Sequence, residues 1–414
     1  KYTYDNRSNP RFPLPDDYHT WDGQQFEDKI ISLCDSALSS PNALQATKLN
    51  EYKDVISIDD MTIIYYPSLY DFIARHIINT LTELDHSSVV FPRSWLCNYD
   101  IYQHIKFNHS SPIVEKILTI YQDLLAFNSN KPAPFIDCDI NRIIFIKTNI
   151  HDYNDDAEGT AIDLLKALYK KYADNEYADN ILTSIFELNI SSLSDSKWLY
   201  YNCRAHKVTF PNYPEHNNLS YIIDQLSANT VTISTPRIIV PKDTFEVTIT
   251  NDNARKFWIK IYKITQNYYN EESISLNATN SVLYKEIPFK SDSIVPFTEK
   301  TSIKIAFDEP GLYAFVPYLE NSNNKERYYT TRCTELGLQM SSYAPNGWAM
   351  VINPKTGAPV QDADIYICPN NNMSILEKKI GTSDASGLLS ISNPNNRIVA
   401  TKDGNISTSI YSSY

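Results

Sequence analysis

Hydrophobic side chains recur at helical spacing through the first half of the chain. They return every three or four residues over Phe26 to Leu38, Leu69 to Leu81 and Ile113 to Leu125. Two further stretches, Leu164 to Tyr172 and Ala178 to Phe186, are separated by a short polar turn. Helices joined by so short a connection pack as antiparallel hairpins. The pattern therefore predicts an all-α block.

Local signals mark the ends of these helices. Ser111 precedes Pro112, which suits a first helical position because proline has no N–H to satisfy there, and Ser68 stands before the helix through Ile73. The stretch from Pro214 to Ser227 is predicted as the last helix of the block. No fixed repeat period is found, so we predict a solenoid-like set of helical hairpins that ends at residue 228.

From residue 229 the apolar period changes to two, which is typical of half-buried strands. Thr230 to Ile233, Phe245 to Ile249 and Phe257 to Tyr262 follow this pattern. The stretches 302–307 and 312–316 flank Asp308-Glu-Pro310-Gly311, in which proline presets φ and glycine accepts positive φ. We predict a β-hairpin there.

These patterns define the predicted fold class, an α+β multidomain protein. A chain of 414 residues exceeds one ordinary core. We divide it into a helical-hairpin domain at 1–228 and two antiparallel β-sandwiches at 229–328 and 329–414. The charged and polar stretch from Glu320 to Arg327 is predicted to be the junction between the two sandwiches.

Composition excludes several functional classes. The net charge is −12 and the pI is about 5.2, whereas nucleic acids and anionic membranes select basic surfaces. The longest apolar runs are only a few residues long, too short to span a membrane. The chain starts at Lys1 without a signal-like segment, so we expect any export signal or lipid anchor to have been removed or left out.

Motifs for catalysis are missing from the sequence. It contains no H-E-x-x-H, no G-x-S-x-G and no Walker phosphate loop, and it has nine glycines in all. The histidines His104 and His109 are close in sequence but belong to no acid–base constellation. We therefore predict that the chain is not an enzyme, and we assign no catalytic, cofactor-binding or metal-binding residue and no cofactor.

Two acidic or thiol-containing stretches resemble metal motifs. The acidic run from Asp152 to Glu158 has alternating oxygens like a calcium loop, but Ala157 replaces the glycine of the sharp turn and Asp163 stands where a bidentate glutamate is expected. Cys203 and His206 have ligand-like spacing without a second pair. We interpret the first as a solvated loop, and the second as a structural cysteine beside a surface histidine.

The six cysteines are scattered without a C-x-x-C pair, which excludes zinc ribbons and thioredoxin-type sites. We expect buried free thiols. The spacing alone does not decide whether Cys333 and Cys368 form a disulfide. Thirty tyrosines include four adjacent pairs, which favour either a recognition surface or half-buried junction positions. The pairs are Tyr65-Tyr66, Tyr200-Tyr201, Tyr268-Tyr269 and Tyr328-Tyr329.

The end of the chain resembles a known family. A strand from Trp348 to Ile352 leads into Lys355-Thr-Gly-Ala-Pro-Val360 and later into Thr382-Ser-Asp-Ala-Ser-Gly-Leu388. These two sequence motifs, K-T-G-x-P-V and T-x-D-x-x-G-L, resemble those of the macroglobulin-type domain of bacterial alpha-2-macroglobulins. Three helical segments and a turn add to the resemblance, which spans residue 65 to the end. These are Tyr66 to Ala74, Asp123 to Phe127, Asp139 to Ile143 and Pro310 to Tyr313.

This resemblance implies an N-terminal segment of a large, broad-spectrum peptidase inhibitor of the cell envelope. It implies a periplasmic or lipid-anchored exported protein that traps peptidases by conformational change, with partners among its own further domains and its target peptidases. The family's T-D-R-x-x-Y-R-P-G opening, bait region and G-C-x-E-Q thioester motif do not occur in the sequence. Covalent trapping is therefore not expected from this segment.

Two other functional classes stay open. One is a surface glycan- or protein-binding lipoprotein on a helical scaffold, with exposed aromatic platforms such as Trp95 or Trp198. The two sandwiches that follow the helices are unexplained on that interpretation. The other is a hydrolase with an accessory sandwich, for which the catalytic motifs are missing.

Overall fold

The computed structural model describes residues 21–84, 89–90, 99–107, 111–151, 157–188, 190, 192–213, 216–265, 276–277, 279–320, 327–341, 346–368, 376, 378–392 and 397–408. The chain divides into two compact units, Lys1–Leu226 and Ser227–Tyr414. The first is built from helices and the second from β-sheets, so the predicted α+β multidomain class is confirmed.

The helical unit consists of consecutive helices that pack on their sequence neighbours. The hairpin arrangement follows from the short connections, because neighbouring amphipathic helices bury their apolar stripes against each other. The helices are α1 (Gly23–Ala37), α2 (Pro41–Ala46), α3 (Asp60–Tyr65), α4 (Leu69–Leu84), α5 (Tyr99–Tyr102), α6 (Pro112–Phe127), α7 (Pro132–Asn149), α8 (Ala157–Tyr172), α9 (Asp179–Glu187), α10 (Leu193–Thr209) and α11 (His216–Ser227).

One element of this unit departs from the all-α prediction. The short strands β1 (Val89–Val90) and β2 (Ile150–His151) pair in parallel. They join the chain before α5 to the end of α7, within the same helical unit.

Helix α7 is the most deeply buried helix of the described unit, and its apolar pattern gave no simple stripe. Ile136 and Cys138 are fully buried, and the charged side chains of Asp139 and Arg142 on the same helix are buried as well. Nε of Arg142 donates to the Asp139 carboxylate at 2.7 Å, and its guanidinium lies over the Tyr102 ring at 4.5 Å. A helix buried on several sides loses the one-sided pattern that predicts helices from sequence.

The predicted helix starts at Ser68 and Ser111 are confirmed by their hydrogen bonds. Oγ of Ser111 accepts from the N–H of Val114 at 3.3 Å. At the start of α4, Oγ of Ser68 accepts from the N–H of Asp71, whose carboxylate accepts in return from the N–H of Ser68. Asn128 also donates to Asp71 at 2.6 Å, so this buried carboxylate ties two helices together.

The first β domain is a sandwich of a three-stranded sheet, in the order β3-β5-β8, and a five-stranded sheet, in the order β4-β10-β9-β6-β7. Its core contains Val247 and Ile249 from one sheet and Ile259, Ile261 and Phe315 from the other. Its strands are β3 (Thr230–Ser234), β4 (Ile238–Ile239), β5 (Phe245–Asp252), β6 (Lys256–Ile264), β7 (Ser281–Lys290), β8 (Thr298–Ile305), β9 (Gly311–Leu319) and β10 (Tyr329–Cys333).

The second β domain is a smaller sandwich with sheet orders β11-β12-β15 and β14-β13-β16-β17. Ala349 and Val351 on one sheet and Ile365 and Ala400 on the other meet in its core. Its strands are β11 (Gly337–Ser341), β12 (Asn346–Ile352), β13 (Asp364–Cys368), β14 (Lys378–Thr382), β15 (Leu388–Ser392), β16 (Arg397–Lys402) and β17 (Asn405–Thr408).

The β-hairpin predicted around residues 308–311 is wrong. Strand β8 pairs with β5, whereas β9 pairs with β6 and β10 in the opposite sheet, so the turn crosses from one sheet to the other. Phe307 and Tyr313, on either side of this turn, stack in the core with ring centroids 3.6 Å apart. Burial of both rings between the sheets explains why the two strands separate instead of pairing.

Strand pairing also moves the junction between the β domains. The boundary predicted from the sequence follows residue 328. In the structure, residues Tyr329–Cys333 pair with β9 and, in parallel, with β4, and so belong to the first domain. Most of the predicted junction, residues 321–326, lies outside the described residues. Residues 334–336 connect the last strand of the first domain to β11 of the second. The three-domain division itself stays a prediction.

Among the helices that the structure describes, none has both the length and the apolar character needed to cross a bilayer.

Candidate functional site

The first family-like motif forms a closed turn after strand β12. Oδ1 of Asn353 accepts from the N–H groups of Lys355 and Thr356, at 3.0 and 3.1 Å. The N–H of Gly357 donates to the Asn353 carbonyl at 2.8 Å, and Gly357 has a φ of +71°, which glycine adopts without a steric penalty. The N–H of Val360 then donates to the carbonyl of Val351 at 2.9 Å, which brings the chain back to β12.

The second motif forms a turn held by one carboxylate. Oδ1 of Asp384 accepts from the N–H groups of Ser386 and Leu388, at 2.8 and 2.9 Å. The N–H of Gly387 donates to the Asp384 carbonyl, and Gly387 has a φ of +74°. The aspartate and the glycine of the T-x-D-x-x-G-L pattern therefore close this turn between β14 and β15.

These two turns interlock. The N–H of Val351 donates to the carbonyl of Gly387 at 2.8 Å, and a Cβ on Gly387 would stand 2.4 Å from the Val351 carbonyl oxygen and 3.1 Å from the Pro359 side chain. Oγ of Ser383 donates to the carbonyl of Val360 at 2.7 Å and accepts from the N–H of Ala363. We call this arrangement the motif knot; it consists of residues 351–363 and 383–388.

Residues 334–336 are anchored to both β domains. The N–H of Thr334 donates to the carbonyl of Ile239 in the first domain at 2.8 Å. The N–H of Glu335 donates to Oδ1 of Asn405 in the second domain, also at 2.8 Å, and Asn405 is buried. We call this connection the junction.

An ion pair adds a second link across the β unit. Nζ of Lys355, in the motif knot, lies 2.6 Å from the Asp243 carboxylate of the first domain. Both side chains are largely exposed, so the pair contributes little free energy. The pair does, however, join the motif knot to the first domain at a second point, in addition to the junction.

Sequence reasoning missed Asn405, which holds the junction. A local signal was present, because Asp403-Gly404 is a favoured two-residue hairpin turn and both residues have positive φ, +48° and +76°. This turn joins β16 to β17 and places Asn405 directly after it. No sequence signal pairs Asn405 with residue 335, which is 70 positions away.

The helical unit contains a groove between α8 and α10, with a volume of about 380 Å³. Trp198, predicted as a platform, lies on its lining as a half-buried side chain. The Trp198 ring meets the buried Tyr169 ring nearly at right angles, 82°, with centroids 5.5 Å apart. The lining consists of Ala167 and Ala173, the aromatic Tyr169 and Trp198, and the polar Lys166, Lys170 and Asn202.

Charges in this α8–α10 groove are unevenly compensated. Nζ of Lys166 pairs with the carboxylate of Asp195 and lies 3.9 Å from that of Asp163. It also lies 5.6 Å from the centre of the Trp198 ring. Lys170 is exposed on the same lining. Burial, helped by Cys203 and Asp174, raises the pKa of Tyr169 to about 12, so its hydroxyl stays neutral at ordinary pH.

The predicted surface position of His206 is wrong. Cys203 and His206 are both buried on α10, and Nε2 of His206 lies 3.0 Å from the Glu176 carbonyl oxygen. The imidazole packs against the Phe210 ring with centroids 4.8 Å apart. The i,i+3 spacing puts both side chains on the inward face of α10, which explains the burial.

Several residues that the sequence suggested as candidate sites do not belong to the groove or to the motif turns. His104 is exposed. The acidic run at 152–156, His109 and Trp95 lie outside the described residues. Within the ranges that the structure describes, no group of three or more His, Cys, Asp or Glu side chains is placed to hold a metal ion.

The tyrosine pairs occupy mixed environments. Tyr65 and Tyr66 are half-buried; the hydroxyl of Tyr65 lies 3.2 Å from that of Tyr213, and the Arg75 guanidinium lies over the Tyr66 ring. Tyr200 is buried beside the exposed Tyr201. Of the other pairs, Tyr328 and Tyr329 pack at the end of the first β domain, and the pair at 268–269 lies outside the described residues.

The cysteines that the structure describes are buried free thiols, as predicted. These are Cys34, Cys138, Cys203 and Cys333. Because Cys333 is free, the disulfide left open between it and Cys368 does not form.

No family model and no curated protein matches the sequence. Among solved structures, the chain is similar to native alpha-2-macroglobulin from Escherichia coli spanning domains MG0-NIE-MG1. That match has 14% identity and a TM-score of 0.36, and it covers 44% of this chain and 63% of that one. A structure of the same protein spanning NIE-MG1 matches with 15% identity and a TM-score of 0.33, over 44% of this chain and 96% of that one.

The superoxide reductase (neelaredoxin) from Ignicoccus hospitalis also matches, with 15% identity and a TM-score of 0.19, over 27% of this chain and 86% of that one. At these identities and TM-scores no functional role follows from the comparisons. The chain spans less than two thirds of the three-domain macroglobulin fragment.

Proposed function

We propose that this chain is a non-catalytic structural and interaction segment of an alpha-2-macroglobulin-like, broad-spectrum peptidase inhibitor of the bacterial cell envelope. The observation that carries the proposal is the motif knot. Residues of the two family-like motifs interlock, because Gly387 of the second lies against Pro359 of the first and against the carbonyl of Val351 on the strand before it. A shared motif whose residues serve a specific fold is evidence for that kind of domain.

The role we propose is mechanical. The junction hydrogen bonds on both sides and the Lys355–Asp243 pair favour two β domains that move together, whereas domains joined by a loose linker move independently. Such a frame would transmit a conformational change in a larger protein. The helical unit would add a docking surface, and the partners would be the further domains of the same protein and its target peptidases.

A trapping assay tests this proposal. The intact gene product is incubated with an endopeptidase such as trypsin, and hydrolysis of a large protein substrate is compared with hydrolysis of a small chromogenic peptide. A trap encloses the peptidase without touching its catalytic groups, so we expect cleavage of the large substrate to fall and cleavage of the peptide to persist. The 414-residue chain alone, which has no thioester motif, serves as the non-inhibiting control.

Unchanged cleavage of both substrates by the intact gene product would overturn the inhibitor proposal. The second candidate, a surface glycan- or protein-binding lipoprotein on a helical scaffold, is favoured by the α8–α10 groove and its Trp198 ring. That candidate predicts ligand binding by the 414-residue chain itself, with no effect on peptidases.

A further inference from the structure

The α8–α10 groove has the dimensions of a ligand site. Its volume of about 380 Å³ lies within the range of roughly 300 to 1,000 Å³ that is typical of small-molecule pockets. Ala167 and Ala173 contribute only methyl groups to the lining, which leaves room between the two helices. Ligand binding in this groove does not depend on the inhibitor function proposed above.

The aromatic part of the lining presents a fixed flat surface. Trp198 is held by its perpendicular contact with Tyr169, which is only 5% exposed, while the indole itself stays half-buried at the groove. A tryptophan held in this way loses little conformational entropy on binding. The exposed part of the indole offers apolar surface to a ligand ring, beside the Lys166 ammonium that lies over the indole.

The two lysines of the lining, Lys166 and Lys170, favour a ligand with one negative charge. Lys166 is paired with Asp195, so its charge is largely compensated. Lys170 is exposed and has no ion-pair partner within the residues that the structure describes. On a chain with a net charge of −12, an uncompensated ammonium in a groove marks a local preference for an anion.

The remaining polar side chain of the lining, Asn202, favours a ligand that carries a hydroxyl group. Nδ2 of Asn202 donates to the carbonyl of Trp198 at 2.7 Å, which orients the amide and leaves Oδ1 as an acceptor. A ligand that suits the whole lining therefore has a ring with an apolar face, a carboxylate and hydroxyl donors. A pyranose that carries a carboxylate has all three, whereas a neutral sugar lacks the charge and a simple aromatic acid lacks the hydroxyl groups.

We propose that the α8–α10 groove binds an acidic sugar unit of a glycan, with the pyranose ring on Trp198, the carboxylate on Lys170 and a hydroxyl donating to Asn202. Free oligosaccharides and glycans on a cell surface share this chemistry. The soluble tetramer used below tests the chemistry that both sources share, and co-sedimentation of the chain with cells that carry an acidic surface glycan, but not with cells that lack it, identifies the cell surface as the source.

The test is calorimetric titration of the 414-residue chain with an oligogalacturonide tetramer, and with a neutral cello-tetraose of equal length. We expect saturable binding of the acidic tetramer and at least about tenfold weaker binding of the neutral one. Loss of one charge-assisted hydrogen bond predicts roughly ten- to hundredfold weaker binding by Lys170→Ala. Trp198→Ala should weaken binding by a similar factor, and Trp198→Phe by less.

The control is Lys290→Ala, which removes an exposed lysine from the β unit and should bind like the unmodified chain. Circular dichroism confirms that each variant is folded, and Lys170 is on the surface, so its substitution keeps the test decisive if Trp198→Ala fails to fold. No saturable binding at millimolar tetramer, equal binding of both tetramers, or binding that Lys170→Ala leaves unchanged would each overturn the proposal.

Discussion

The α-carbon of Gly387 lies against the carbonyl oxygen of Val351, so closely that a side-chain carbon on it would stand 2.4 Å from that oxygen. Gly387 belongs to the second family-like motif, and Val351 lies on the strand β12 that leads into the first. Their contact explains why the glycine is needed there. It also provides a direct test of the motif knot.

Gly387→Ala should destabilise the second β domain strongly. Alanine at a φ of +74° is strained, and its Cβ would displace backbone instead of a flexible side chain. We expect a loss of about 3 kcal/mol or more. Hydrogen exchange of residues 346–392, measured by mass spectrometry, reports on this domain separately from the others.

Gly357→Ala is the matched control for this substitution. Gly357 also has a positive φ, +71°, but nothing lies within 4 Å of the Cβ position. We therefore expect only the conformational cost, about 1 to 2 kcal/mol. Equal effects of the two substitutions would show that the contact with Val351 is not what requires a glycine at 387.

Asn405→Ala should loosen the junction between the β domains. The substitution removes the acceptor for the N–H of Glu335 and leaves that donor without its partner, at a cost of about 1 to 3 kcal/mol. We expect faster hydrogen exchange and proteolytic cleavage at residues 334–336. Lys355→Ala is the comparison, because it removes an exposed ion pair and should cost less than about 1 kcal/mol. A junction that stays protected in the Asn405 variant would contradict this account.

The helical unit should lose stability in alkali. Burial is the main cause that raises the pKa of the Tyr65 and Tyr169 hydroxyls, and of the Cys138 and Cys203 thiols, to about 12. The folded state therefore keeps protons that the unfolded chain gives up from pKa values of 9.0 for cysteine and 10.0 for tyrosine. This stability is fully present below the unfolded pKa values and is lost as pH rises toward 12.

Urea denaturation at about pH 8 and about pH 10.5 measures this effect, and the midpoint for the helical unit should fall at the higher pH. At about pH 8 the buried thiols should also resist alkylation by iodoacetamide until the chain unfolds. An unchanged midpoint, or rapid alkylation of Cys138 and Cys203 in the folded chain, would be inconsistent with the burial of these groups.

Local patterns predicted much of this fold. The helices through Leu69, Ile113 and Leu164 and the strands through Thr230, Phe245 and Phe257 lie where the periodicity placed them. These elements each have one buried face, so their apolar spacing records their secondary structure directly.

Elements whose environment depends on distant residues were not predictable in this way. Helix α7 is buried on several sides and lacks a stripe, and the turn at 308–311 has hairpin chemistry but joins strands of opposite sheets. The choice between pairing and crossing depends on where Phe307 and Tyr313 are buried, which a local turn signal does not specify.

The candidate sites show the same division. Trp198 stood out in the sequence as an aromatic residue, and Asn202 lies one turn further along the same helix, but Lys170 lies on α8 and only the fold brings it to the same groove. The two sequence motifs could be recognised from the sequence, whereas the contact between Gly387 and Val351 could not. The link from Asn405 to residue 335 likewise spans a separation that no periodicity reports.

The central claim is that the two β domains form one rigid frame. Electron–electron double resonance between spin labels at the exposed positions Lys304, on β8, and Ser390, on β15, tests it most directly. The labels are attached through non-natural amino acids, since the chain has six cysteines of its own. We predict a single narrow distance distribution that broadens in Asn405→Ala. A broad or multiple distribution in the unmodified chain would contradict the account.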